Sequence, residues 1–136
     1  MTSNQPPAFV DTNVVVRHLT GDPPDMARRA TRYLRGATAL LLVDLVVAEV
    51  VFVLESYYKS PRTVIADAIR ALIGFESIRV VDADLLHRAI EVYQHDGLDF
   101  AEAYLVATAE RSGVHTIASF DRSIDRVKTV TRIEPA

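Results

Sequence analysis

The chain has no cysteine and no apolar run long enough to cross a membrane. Without cysteine there can be no disulfide, no thiolate metal site and no cysteine nucleophile. The longest apolar stretch, residues 39–54, is interrupted by Asp44 and Glu49, whereas a membrane helix needs about 20 apolar residues. Residues 1–8 have neither the basic region nor the apolar core of a signal peptide. These absences fit a reducing compartment, and we expect a cytoplasmic protein with no membrane association.

The residues that are present make an ordinary globular composition, with 49% hydrophobic and 24% charged residues in a chain of 136. This length is typical of one domain, so we predict a single domain over residues 1–136 with a flexible N-terminus at residues 1–7. The formal net charge of −3 argues against binding nucleic acid through overall charge. It leaves room for local basic patches, and a metal-binding acidic centre would itself lower the net charge.

Short apolar segments alternate along the chain with segments of helical periodicity. No hairpin signal separates the apolar segments, which favours parallel strands with helices on both faces. We therefore predict an α/β fold, a three-layer α/β/α sandwich around a central, mostly parallel sheet of four or five strands. Strands are expected at residues 8–10, 40–43, 78–81 and 114–118, with a candidate edge strand at 129–132. Helices are expected at residues 12–19, 22–35, 45–57, 61–73, 83–95 and 99–111.

Acidic residues stand where the predicted strands end. Asp11 directly follows the first strand, and Asp121 follows the fourth strand after Ser119 and Phe120. Asp99 and Glu102 open the helix that leads into the fourth strand. Ligands of parallel sheets bind in the crevice beyond the carboxyl ends of the strands. The sequence therefore directs acids from distant parts of the chain to one crevice, where their mutual repulsion calls for a cation.

Each of these acids also has a purely structural interpretation. Asp11 can cap the helix that follows it, and Asp99 with Glu102 fits a helix start that resembles a capping box. Glu49 has only apolar neighbours three and four positions away in its helix. If it is buried, its carboxylate needs a partner or a metal. The alternative is a partly exposed glutamate at the edge of the sheet.

A site built from carboxylates, without cysteine or paired histidines, favours Mg²⁺ or Mn²⁺ over zinc. Such ions activate water, orient a phosphodiester and stabilise the leaving oxygen, so no protein nucleophile is required. The histidines have no metal-ligand spacing, and we expect them to be ordinary surface or core residues: His18, His87, His95 and His115.

Four segments resemble the PIN-domain family and, within it, the VapC-type toxins of bacterial and archaeal toxin–antitoxin pairs. They are residues 9–13 (FVDTN), 48–55 (AEVVFVLE), 99–103 (DFAEA) and 119–121 (SFD). Each motif is weak alone, but together they occur in the family's order over nearly the whole chain. The resemblance implies a metal-dependent endoribonuclease that hydrolyses RNA phosphodiester bonds and inhibits translation or growth as a toxin.

The resemblance also implies roles for individual residues. Asp11, Glu49 and Asp121 would be catalytic metal-site acids for Mg²⁺ or Mn²⁺. Asn13 and Ser119 would support them through hydrogen bonds to ligands or waters. The family usually has aspartate where this chain has Glu102, which is one methylene longer. Asp99 and Glu102 therefore both remain candidate ligands, and either can be the main one.

Further residues are candidates for contacts with partners. Arg28, Arg32 and Arg35 lie at helical spacing, either as a surface that follows RNA phosphates or as a solvated helix face. The apolar helix at residues 45–54 predicts a homodimer contact, in agreement with the resemblance. The resemblance also implies a cognate antitoxin whose peptide would occlude the acidic crevice, with an arginine among the carboxylates.

Three other functions compete with this interpretation. A phospho-acceptor receiver module needs a lysine near the end of a late strand, and neither Lys59 nor Lys128 is suitably placed. A non-catalytic PIN-like RNA-binding or scaffold domain would have no need of the acidic positions. A related metal-dependent DNA nuclease uses the same phosphodiester chemistry, so the sequence leaves that alternative open.

Overall fold

The computed structural model describes residues 5–136, which form two compact units, one ending at Val81 and the other beginning at Asp82. The N-terminal unit contains three short strands and four helices. In chain order these are β1 (Ala8–Phe9), α1 (Thr12–Thr20), α2 (Pro24–Gly36), β2 (Leu40–Leu41), α3 (Asp44–Ser56), α4 (Arg62–Ile73) and β3 (Ile78–Arg79).

The C-terminal unit contains two helices, two strands and two shorter helical turns. In chain order these are α5 (Ala83–Glu91), a π-helical turn (Val92–Asp96), α6 (Phe100–Ser112), β4 (Thr116–Ala118), a 3₁₀ turn (Arg122–Arg126) and β5 (Thr131–Ile133). The candidate edge strand predicted at residues 129–132 is thus present as β5.

All paired strands in the described residues are parallel. In the N-terminal unit the order is β1-β2-β3, with Ala8 opposite Leu40 and Leu40 opposite Ile78. In the C-terminal unit β4 pairs with β5, with Ile117 opposite Arg132. Helices lie between successive strands in chain order, as a parallel connection requires. The predicted α/β class with parallel strands is confirmed.

The core of the N-terminal unit forms because its helices place apolar residues at helical spacing on one side. Val15 of α1, Leu34 of α2 and Val47 and Val50 of α3 are completely buried, as is Leu40 of β2. The sequence predicts that α1 stops at glycine. Gly21 does cap α1, with a φ of 71° that lies in the left-handed region where a side chain is unfavourable.

Two predicted helices differ in detail from the observed ones. The predicted start of α2 at Asp22 makes that residue the cap, but Pro23 is the N-cap and Pro24 is the first helical residue. The fixed φ of Pro24 suits that first position, and the Asp22 carboxylate instead accepts a hydrogen bond of 2.9 Å from the Tyr58 hydroxyl. The helix predicted at residues 83–95 is α-helical only to Glu91.

The predicted flexible terminus at residues 1–7 lies partly outside the described residues. Residues 5–7 are exposed and belong to no helix or strand. Across residues 5–136, every helix is too short or too polar to cross a bilayer. The prediction of a single domain over residues 1–136 stays a prediction.

Candidate functional site

Asp11 lies at the junction between β1 and α1. Val10 is buried, and its N–H donates to the Leu41 carbonyl at 3.0 Å, which continues the sheet to the edge of the helix. Asp11 is the N-cap of α1 with an extended backbone, φ −87° and ψ 156°. Its side chain is exposed and makes no capping hydrogen bond. The capping interpretation of this acid is therefore wrong, and the carboxylate has no structural task in its own helix.

Glu49 of α3 is connected to the start of α1 through Thr12. The buried Thr12 hydroxyl donates to Oε2 of Glu49 over 2.7 Å, which links the residue after Asp11 to this carboxylate. Glu49 itself is exposed, and the alternative of an exposed glutamate is the correct one. Leu45 and Phe52, which share its helix face, are 69% and 67% exposed. The apolar surroundings seen in the sequence are thus a surface patch, so burial does not force this carboxylate to have a metal or a charged partner.

Asn13, the predicted supporting residue, is exposed in the first turn of α1. It lines a depression of about 400 Å³ that also includes Arg17 of α1 and Arg29 and Tyr33 of α2. Cationic side chains and a half-exposed aromatic ring therefore share a depression with the residue two positions after Asp11.

In the C-terminal unit, Asp99 and Glu102 open α6. The π-helical turn before them ends at Gly97, whose φ of 73° reverses the chain, and Leu98 is fully buried. Asp99 is the N-cap of α6, yet its side chain makes no capping hydrogen bond. Glu102 is half-buried in the first turn, three residues later. Residues three apart share a helix face, so both carboxylates lie on one side of α6.

Asp121 and Ser119 are joined by a local hydrogen bond after β4. The Asp121 N–H donates to Ser119 Oγ at 2.9 Å, and Asp121 Oδ1 accepts from the Ser123 N–H at 2.9 Å. Hydrogen bonds from Ser123, followed by the charges of Arg126 and Arg132, hold the pKa of Asp121 below its usual range. The carboxylate is therefore ionised at neutral pH, although Oδ1 already serves as a cap for the 3₁₀ turn.

The predicted site residues are thus grouped within each unit. The N-terminal unit links Glu49 to the residue beside Asp11, and the C-terminal unit holds Asp99 with Glu102 and Ser119 with Asp121. Among residues 5–136, no three His, Asp or Glu side chains lie close enough together to hold a metal ion. The assignment of all five acids to one metal site stays a prediction. Their chemistry fits Mg²⁺ or Mn²⁺, since every candidate donor is a carboxylate oxygen.

The predicted RNA-binding arginines lie around a second depression in the N-terminal unit. Arg28, Arg32 and Arg35 line a volume of about 610 Å³ between α2 and the end of α1, and we call it the basic pocket. His18 of α1 and Thr31 of α2 also line it. No sequence signal indicates a role for His18, because residues 18 and 31 approach each other only when α1 and α2 pack.

Comparison with known proteins gives a family and several distant structural neighbours. The family model described as "PIN domain" matches residues 8–130. Mycobacterium tuberculosis VapC20, described as a sarcin–ricin loop cleaving toxin, is 22% identical, with 87% of this chain and 92% of that chain covered and a TM-score of 0.43.

VapBC2 from Rickettsia felis, solved with a DNA fragment from its promoter, is 12% identical, with 96% of this chain and 100% of that chain covered and a TM-score of 0.38. No curated protein matches the chain. The match to the family model spans both units and contains all four of the motifs that resemble the family. On that match, the chain belongs to the PIN-domain family.

Proposed function

We propose that this protein is a metal-dependent endoribonuclease that hydrolyses RNA phosphodiester bonds as the toxin of a toxin–antitoxin pair. One observation carries the proposal: Asp11, at the carboxyl end of β1, is an N-cap residue whose exposed carboxylate makes no capping bond. An acid at this position without a structural partner is what a metal-dependent hydrolase needs. Membership of the PIN-domain family supports the same conclusion.

In this proposal the carboxylates of Asp11, Glu49 and Asp121 hold Mg²⁺ or Mn²⁺, together with Asp99, Glu102 or both. When bound, the ion supplies positive charge to the scissile phosphate and makes water a stronger nucleophile. The chain's own residues set up this chemistry. Thr12 fixes the orientation of Glu49 through its hydroxyl, and Asp121 is already ionised at neutral pH.

Two polar residues complete the proposed arrangement. Asn13 stands within one helical turn of Asp11 and offers an amide that both donates and accepts hydrogen bonds. Ser119 holds the backbone of Asp121 through its hydroxyl, which restricts the position of that carboxylate. Neither residue needs to act as a nucleophile, because water attacks the phosphorus.

The test is incubation of the purified full chain with structured and unstructured RNAs, in Mg²⁺ or Mn²⁺ and in excess chelator. We expect internal cleavage that depends on the metal. The Asp11→Asn protein, prepared in the same way, controls for contaminating ribonucleases. Full activity in chelator would overturn metal dependence, and equal cleavage of single-stranded DNA would replace the ribonuclease by a general nuclease. Binding of RNA without any cleavage would favour the scaffold alternative.

We also propose a homodimer through α3. Leu45 and Phe52 are mostly exposed on one face of this helix, an arrangement that a second copy would cover. Light scattering in dilute solution should give the mass of a dimer, and Phe52→Lys should give a monomer. A wild-type monomer at micromolar concentration would refute the dimer.

The proposed second partner is a cognate antitoxin that neutralises the acidic residues with an arginine-bearing peptide. Co-purification with the product of a neighbouring gene, together with suppression of RNA cleavage in the complex, would support this partner. A complex that retains full cleavage would contradict it.

A further inference from the structure

One flank of α2 carries positive charge that its own surroundings do not neutralise. Within residues 5–136 the lining of the basic pocket includes no Asp or Glu. Arg28 makes one exposed ion pair, 3.5 Å from Nη2 to Asp25 Oδ1, which contributes little to stability in water. In the same part of the chain, Arg32 and Arg35 have no ion pair at all. Two guanidinium groups therefore face an open depression without a counter-charge.

His18 adds a fixed polar group to this pocket. Its Nδ1 lies 2.8 Å from the Thr31 hydroxyl, and its ring packs edge-on against Phe75 with centroids 5.6 Å apart. Burial, followed by the charge of Arg35, lowers the pKa of His18, so the ring is neutral at pH 7. In the tautomer in which Nδ1 accepts from the Thr31 hydroxyl, the ring proton resides on Nε2. No residue among 5–136 bonds to Nε2, which in that tautomer is a donor for a ligand.

We propose that the basic pocket is a second RNA-binding site, which holds backbone phosphates of the substrate away from the acidic residues. This inference rests on the proposed ribonuclease function. Guanidinium groups match phosphate in geometry as well as in charge, since two N–H groups bind two oxygens at once. The neutral His18 would supply a further hydrogen bond to the same oxygens.

The position of the pocket suits a substrate that also reaches Asp11. Asp11 and His18 stand at opposite ends of α1, seven residues apart, which is about 10 Å along the helix axis. In a duplex each strand advances about 3.4 Å along the duplex axis per phosphate, so about three nucleotides bridge the two sites. Substrates shorter than this cannot use the basic pocket while they occupy the acidic residues.

RNA fits this surface better than an acidic peptide does. Arg28 and Arg35 are separated by about 10 Å along α2, so the arginines reach more than one anionic group of an extended ligand. A nucleic acid backbone presents such groups at regular spacing, whereas carboxylates on a peptide depend on its sequence. Polyglutamate is therefore the contrasting ligand for a binding experiment.

The direct test compares two double variants that each remove two positive charges. Arg32→Gln with Arg35→Gln alters the basic pocket, whereas Lys59→Gln with Arg70→Gln alters other surfaces of the same unit. Binding of a fluorescent 12-nucleotide RNA is measured in chelator, which prevents cleavage, over a range of salt concentrations. For single strands the logarithmic salt slope falls by about 0.7 for each phosphate that is no longer neutralised. We expect the slope to fall by about 1.4 in the pocket variant and to stay unchanged in the control.

Cleavage kinetics then separate this site from the acidic residues. The pocket variant should raise KM for the 12-nucleotide RNA about tenfold with kcat unchanged, and should cleave a dinucleotide, which is too short to reach the pocket, as well as the wild type does. Unchanged melting temperatures establish that both variants fold. In the wild type, inorganic phosphate should shift the His18 ring resonances, and the pocket variant should lack this shift.

The outcomes distinguish failure of this site from failure of the enzyme assignment. If the wild type cleaves RNA and both double variants bind it with the same salt slope, the second site is wrong and the ribonuclease remains. If polyglutamate binds through Arg32 and Arg35 while RNA does not, the ligand class is wrong. A wild type that neither binds nor cleaves RNA overturns the enzyme and the second site together.

Discussion

Asp11 and Asp82 occupy the same position in the two units, as the residue that directly precedes a helix. Asp82 accepts a hydrogen bond from the Leu85 N–H at 3.1 Å and forms an ion pair of 2.9 Å with Arg111. Asp11 forms neither kind of bond with any residue in 5–136, and its carboxylate is exposed. Two residues of the same type and the same local position therefore have different physical roles.

The backbone accounts for part of the difference. Asp82 has φ −144° and ψ 95°, and Asp11 has φ −87° and ψ 156°, so the two side chains leave the chain in different directions relative to the first helical turn. Asp121 is intermediate between these two residues. One of its carboxylate oxygens caps a 3₁₀ turn, as in Asp82, and the second oxygen is a candidate ligand, as in Asp11. An aspartate before a helix is thus a structural residue when its bonds are made locally, and a candidate ligand when they are not.

Exchanging the Asp11 and Asp82 carboxylates for amides should separate a catalytic role from a structural one. The largest expected effect is the loss of RNA cleavage in Asp11→Asn. Asp11→Asn should lower RNA cleavage by about 100-fold or more, which corresponds to about 2.7 kcal/mol of barrier. Since no capping bond is removed, its melting temperature in metal-free buffer should not fall. Asp82→Asn should keep activity and lose about 1 kcal/mol of stability with its cap and ion pair. Initial rates and thermal melts of both proteins give the comparison.

The reverse pattern would contradict the assignment of Asp11 as a functional acid and Asp82 as a structural one. If Asp11→Asn unfolds at a lower temperature and Asp82→Asn loses cleavage, then the hydrogen bonds of the structure do not identify the functional acid. Asp82→Asn is the matched control for the chemistry of the substitution, because both changes remove one charge before a helix.

The substitution at Glu102 gives the second largest expected effect. If Glu102 is a ligand, Glu102→Gln should reduce cleavage about tenfold or more, whereas Glu102→Asp should preserve or raise it, because aspartate is the residue the family usually has there. If it only favours the start of α6, Glu102→Gln should cost well under ~1 kcal/mol of stability and leave cleavage unchanged. Rates and melting temperatures of the two variants decide between a ligand and a helix residue.

The stability gained on metal binding should also distinguish Asp11 from Asp82, and it can be measured without any substrate. Mn²⁺ at a hundredfold excess over its dissociation constant should stabilise the wild type by about 2.7 kcal/mol. Asp11→Asn should gain much less, while Asp82→Asn should gain as much as the wild type. Thermal melts with and without Mn²⁺ measure this gain. An identical gain in wild type and Asp11→Asn would show that Asp11 is not a ligand.

Most of the fold can be predicted from the sequence because its signals are local. Apolar segments mark β1 to β4, whereas β5 is mostly polar, and Gly21 and Gly113 mark helix ends where they have left-handed φ values. The π-helical turn at Val92–Asp96 has no such signal, because an extra residue in a helical turn leaves the apolar periodicity almost unchanged. The 3₁₀ turn after Asp121 is too short to have a periodicity.

The candidate site is less predictable, since its features depend on exposure and on distant residues. The sequence shows that Glu49 has apolar neighbours, but not that Leu45 and Phe52 face solvent. Its hydroxyl donor, Thr12, is 37 positions away. The environment of His18 could not be predicted from the sequence either, because its partner Thr31 lies on another helix.

The smallest expected effect concerns His18 and the pH dependence of stability. Burial and the charge of Arg35 lower its pKa in the folded state below the unfolded value of 6.5, so the unfolded chain binds the proton more readily. The stability that the neutral ring contributes is therefore complete above pH 6.5 and declines as pH falls from 6.5 through the lowered pKa. His18→Gln should show a shallower decline in unfolding free energy between about pH 7.5 and 5.5, measured by urea denaturation. Inorganic phosphate should also flatten the wild-type curve, because an anion in the basic pocket favours the protonated ring. Equal slopes for wild type and variant would mean that His18 titrates alike in the folded and unfolded chains, and that the ring is less buried and less influenced by Arg35 than the structure indicates.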